Sequence, residues 1–152
     1  MATLGLELCD AGFQATVHDH GRNNPLPLPD AGGTLGWMGL VSHDGKKISF
    51  GREAEDNWFV HPRRICHNFW SRLSRESSTL THEGRALSFS QLAYYFLSDY
   101  RDRLAAVSGT PEKVMLAVPG AYLKDAATED EKIGLLLGMA SELKLPLAGI
   151  ID

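Results

Sequence analysis

The stretch from residue 113 to residue 151 narrows the choice of folds most. Lys113-Val114-Met115-Leu116-Ala117-Val118 is an apolar run of buried-strand type, ended by Pro119-Gly120. Thr128-Glu129-Asp130-Glu131 has the form of a capping box, and Ile133, Leu136, Leu137, Ala140 and Leu143 follow at helical spacing. Pro146 separates this helix from a final apolar strand, 147–151. Strand, helix and strand in succession require a crossover, and a crossover joins parallel neighbours in one sheet. The chain is therefore of the α/β class.

The preceding residues alternate differently. Residues 3–9 and 13–17 flank Asp10-Ala11-Gly12 and read as a β-hairpin. Residues 18–30, broken by Pro25, Pro27 and Pro29, read as an extended loop or at most an edge strand. A second hairpin is expected from 36–41 and 46–50 across Ser42-His43-Asp44-Gly45, with a short helix over 52–60. Ile65, Phe69, Trp70 and Leu73 predict another helix over 63–73, and 79–87 predicts a small hairpin or loop. The longest helix opens at the capping box Ser88-Phe89-Ser90-Gln91. Leu92, Tyr95, Phe96, Tyr100, Leu104 and Val107 hold one face, and Gly109 and Pro111 stop it.

Composition enters as a set of exclusions. A length of 152 residues, 43% of them hydrophobic, fits one compact domain and excludes intrinsic disorder. No apolar run is long enough for a spanning helix, and no leader pattern opens the chain, so no membrane role is expected. Two cysteines, Cys9 and Cys66, build no disulfide scaffold, which points to a reducing, cytoplasmic setting. A net charge of −4 speaks against general nucleic-acid binding.

Few residues announce chemistry. The amides of a tight turn beside Asp10 suit phosphate oxygens, and a carboxylate there suits a water-bridged Mg²⁺; an ordinary hairpin turn explains the same residues. His18-Asp19-His20 and the group His61, Cys66 and His67 lack the spacing of a closed zinc site and read as loop histidines. Arg63, Arg64, Arg72 and Arg75 beside Trp58, Phe69 and Trp70 suit nucleic acid, but the aromatic spacing reads as core with arginines on the solvated side. No catalytic constellation and no metal site is expected.

Taken in order, these segments resemble the first half of the nucleotide-binding domain of DnaK-type heat-shock chaperones, within the actin-like and sugar-kinase-like ATPase superfamily. Leu4-Gly5-Leu6-Glu7-Leu8 with its turn resembles that family's phosphate-1 hairpin. Ile48-Ser49-Phe50-Gly51-Arg52-Glu53-Ala54 is similar to its Gly-x-x-Ala step, and the segment from His61-Pro62 to Arg72-Leu73 to its Asn-Pro and Lys-Arg-Leu segment. Val118-Pro119-Gly120-Ala121-Tyr122 resembles its Val-Pro-Ala-Tyr strand end, and 138–151 its next helix and strand.

The resemblance implies a ribonuclease-H-like (actin-like ATPase) mixed sheet with flanking helices. Residues 1–37 and 111–152 would form the core subdomain, and 38–110 a smaller inserted α+β lobe. It implies that Glu7, Asp10, Ala11 and Gly12 line the phosphates, in one of two registers that set either Glu7 or Asp10 at the family's aspartate. It also implies ATP and Mg for a longer parent, of which this chain is a truncated, inactive piece without cofactor, and clients or co-chaperone-like regulators as partners. The hydroxyls expected after that aspartate are absent, and Ser71 stands where the family has its catalytic lysine. Those losses remove donors that stabilise a transferring phosphoryl group, and imply either a divergent ATPase or a non-catalytic adaptor.

Overall fold

The computed structural model describes residues 2–26 and 36–152. Pro27, Pro29 and the side chain of Val107 lie outside the described residues. The elements in order are β1 (Thr3–Leu8), β2 (Phe13–Asp19), β3 (Arg22–Pro25), β4 (Gly36–Trp37), β5 (Val41–His43), β6 (Ile48–Phe50) and α1 (Gly51–Val60). A 3-10 turn (Pro62–Arg64) leads to β7 (Ile65–Cys66), β8 (Ser77–His82), β9 (Arg85–Ser88) and α2 (Phe89–Ser108). Then come β10 (Lys113–Ala117), a second 3-10 turn (Gly120–Leu123), α3 (Ala126–Glu142) and β11 (Leu147–Ile151).

The molecule is a mixed α/β structure. Its main sheet runs β11-β10-β1-β2-β3, with β4 also on β2. β1 pairs antiparallel with β2 and parallel with β10, which pairs parallel with β11 through α3, as the crossover argument required. Leu6, Leu116 and Ile150 stand side by side across these three parallel strands. β6-β5-β7 forms a small antiparallel sheet, and β8-β9 a separate hairpin.

Alternation along the strands sorts the two faces of the main sheet. Leu4, Leu6, Leu8, Phe13, Val114 and Leu116 are buried and join one cluster with Leu92, Phe96, Tyr100 and Leu104 of α2 and Leu136 and Met139 of α3. The same cluster takes in Val41, Phe50, Phe69 and Trp70, so it runs through both segments that the resemblance divides. The other face carries Gly5, Glu7, Gln14, Thr16, Met115 and Ala117 around a shallow 190 Å³ depression.

Several expectations need correction. No helix forms over 63–73: Ile65 and Cys66 pair with Ser42 and Val41, and turns follow. The strand expected over 36–41 is divided, Gly36 and Trp37 pairing with β2 and Val41 with β6. Asp125, not Thr128, caps α3; its carboxylate accepts from the Thr128 amide at 2.8 Å and from the Thr128 hydroxyl at 2.9 Å. Tyr95 and Leu137 face outward, while Ala93, Leu97 and Met139 fill the inward stripes. The capping box at Ser88 is present in both its hydrogen bonds.

Candidate functional site

Because β1, β10 and β11 are parallel, their carboxyl ends at Leu8, Ala117 and Ile151 share one edge of the sheet. In open α/β sheets ligand sites favour this edge. The loop of residues 9–12 leaves β1 here, and the 3-10 turn Gly120–Leu123 follows β10 at the same edge. Segment 38–40 crosses close by: a Cβ on Gly39 would stand 2.9 Å from the Cys9 carbonyl oxygen, so only glycine fits.

Asp10 does not project freely. Its Oδ1 accepts the Trp70 amide at 2.9 Å, and its Oδ2 the Ser71 amide at 3.2 Å. Trp70 is held from its other side as well, since the buried Tyr122 hydroxyl donates to the Trp70 carbonyl. Burial pushes the Tyr122 phenol well above its ordinary range, which keeps it a donor. The Cys9 thiol donates to the Gly12 carbonyl at 2.8 Å and closes the loop on itself. Three separate segments are thereby locked together at the carboxyl edge.

Glu7 and Asp10 serve different sides. Glu7 alternates with the buried Leu6 and Leu8, so it stands on the open face, exposed and opposite Gln14. Among the described residues it makes no ion pair. Ala11 is exposed at the tip of the loop, and Gly12 is half-buried beside Phe13. Ser71 is exposed, with its hydroxyl turned onto the Asn68 carbonyl at 3.3 Å.

No protein-family model matches this chain, and no curated protein matches it significantly.

The other candidates of the sequence disperse. His18 pairs with Asn23 Oδ1 at 2.6 Å, and His20 lies 3.6 Å from Asp19. His67 stacks on Trp58, with Cys66 buried and its thiol pushed up by that burial. Among the described residues no group of three or more His, Cys, Asp or Glu side chains could hold a metal ion. The arginines divide: Arg63 and Arg64 sit on the first 3-10 turn, while Arg72 stacks on Phe89 at 4.3 Å. No described helix is long and apolar enough to cross a membrane.

One pair escaped sequence reasoning. His43 is buried, and its Nε2 lies 2.8 Å from Nδ1 of His82, a residue 39 positions away. The Gly45 amide donates to His43 Nδ1 at 2.9 Å, so the neutral ring carries its proton on Nε2 and donates it to His82. No local pattern signals a partner so distant. Burial, then His82, lowers the His43 pKa from its ordinary 6.5. The unfolded chain thus binds this proton more readily, and the associated stability, complete above about pH 6.5, is lost as pH falls below it. The thermal midpoint should drop between pH 6.5 and 5.5, and His43→Gln should flatten that slope; an unchanged slope in the variant would refute the assignment.

Proposed function

We propose that this chain supplies the phosphate-loop side of an ATP cleft in a divergent DnaK-like ATPase, on a ribonuclease-H-like (actin-like) core. The observation that carries the reading is topological. Three antiparallel strands are followed by two parallel ones in the order β3-β2-β1-β10-β11, and the 9–12 loop emerges at the shared carboxyl edge. The loop tip, with Ala11 exposed and Gly12 half-buried, offers backbone amides to phosphate oxygens. Asp10 is committed to two amides, so Glu7 is the carboxylate left to meet a magnesium ion through water. Clients or co-chaperone-like regulators would read the nucleotide state through closure of a second lobe.

A second reading is a non-catalytic adaptor that keeps the fold without hydrolysis. It is favoured by Ser71, whose short hydroxyl lies on the Asn68 carbonyl where the resemblance calls for a lysine ammonium.

Amide NMR under a Mg–ATP titration tests both. One wall of a cleft gives only part of the contacts, so the dissociation constant should be weaker than about 1 mM. Shifts should centre on residues 7–12 and 119–121. Micromolar affinity would overturn the one-walled reading, and no shift at residues 7–12 would overturn the site. Magnesium-dependent shifts abolished by Glu7→Gln favour the ATPase, whereas shifts indifferent to magnesium favour the adaptor.

A further inference from the structure

On the small sheet, away from the carboxyl edge, lies a polar cavity of 370 Å³. His43, Gly45, Arg63, Arg64, Thr79 and Thr81 line it, drawn from the β5-β6 turn, the first 3-10 turn and β8. Its floor is rigid. His43 joins β5 to β8 through His82, and Arg64 Nη1 donates to the Asp44 carbonyl at 2.5 Å, which fixes the guanidinium at the rim.

The charges around it do not cancel locally. Asp44 feels Arg64 electrostatically, but its Oδ1 is already taken by the Lys46 and Lys47 amides, each at 2.8 Å. Among the described residues neither Arg63 nor Arg64 forms an ion pair, and every side-chain ion pair of β6 and α1 involves other cations. Glu83 is the single carboxylate lining the cavity. Two consecutive arginines that form no ion pair among the described residues, with two threonines in the same lining, form the donor set that suits a tetrahedral oxyanion. The volume admits a phosphate with a small substituent.

We propose that this cavity binds a phosphate dianion, free or as a small phosphomonoester, gripped by Arg63 and Arg64 with hydroxyl donation from Thr79 and Thr81. The site is independent of the nucleotide reading, since none of its residues lies at the carboxyl edge.

Titrations with inorganic phosphate and with O-phosphoserine, followed by amide NMR at constant ionic strength set with chloride, test it. Saturable shifts at Gly45, Thr79 and Thr81 are expected. Arg63→Gln, which removes no hydrogen bond or ion pair among the described residues, should weaken binding about tenfold, and the double variant with Arg64→Gln should abolish it. Glu83→Gln should tighten it by removing the opposing charge. Tighter binding of O-phosphoserine assigns the site to monoesters, and equal binding to free phosphate. Shifts that fail to saturate, or that persist unchanged in Arg63→Gln, would overturn the proposal.

Discussion

Replacing Asp10 with alanine should cost about 2–3 kcal/mol of folding stability, although the residue sits on a surface loop. The carboxylate accepts two backbone amides, Trp70 at 2.9 Å and Ser71 at 3.2 Å, across a separation of 60 residues or more. Charge-assisted bonds of this kind are worth roughly twice neutral ones, and truncation strands the part-buried Trp70 amide, whereas the exposed Ser71 amide can turn to water. Asp10→Asn keeps one acceptor oxygen and should lose about half as much. Urea denaturation measures both; a loss below about 0.5 kcal/mol for the alanine variant would show that the amides find other acceptors. The result bears on function, because a nucleotide-binding defect in Asp10→Ala would follow from loosening of the loop alone. Ala11→Thr is the better probe of the loop: the position is exposed, the change should alter stability by less than about 0.5 kcal/mol, and it adds a hydroxyl at the tip.

That same carboxylate explains where the sequence misled. Ile65, Phe69, Trp70 and Leu73 do recur at helical spacing, and Phe69, Trp70 and Leu73 are fully buried. A helix would require the amides of 70 and 71 to reach the carbonyls of 66 and 67. Asp10 takes those amides instead, and β5 takes Ile65 and Cys66. Both competitors lie far off in sequence, beyond any window of local periodicity. Where the decisive contacts are local, the pattern sufficed: the hairpin of β1 and β2, the capping box at Ser88, and the β10-α3-β11 crossover all stand as read. The candidate site was legible in the same measure. Residues 9–12 could be placed at a strand end, but the commitment of Asp10 to Trp70 and Ser71 could not be seen, nor could the His43–His82 pair.

Phe96→Ala should be the most damaging single truncation. The ring is fully buried and meets Phe13 at 5.3 Å, Phe69 at 5.6 Å, Phe50 at 5.8 Å and Trp70 at 5.9 Å between centroids. Those partners come from β2, from β6 and from the turn segment between β7 and β8, so one side chain on α2 joins the large sheet to the small one. Loss of a buried phenylalanine costs about 3–5 kcal/mol through transfer and cavity terms, and its aromatic pairs add to that. Against a total of roughly 5–15 kcal/mol this is a large share, and the thermal midpoint should fall by roughly 10 °C. By contrast Phe59, 90% exposed on α1, should tolerate alanine within about 0.5 kcal/mol. Because the cluster is continuous, tryptophan fluorescence and far-ultraviolet circular dichroism should report one coincident transition in both wild type and Phe96→Ala. Two transitions, only one of them shifted, would mean that residues 38–110 fold as a separate lobe whose packing on the main sheet contributes little. A single shifted transition would mean that residues 38–110 unfold together with the main sheet, as the continuous cluster around Phe96 requires.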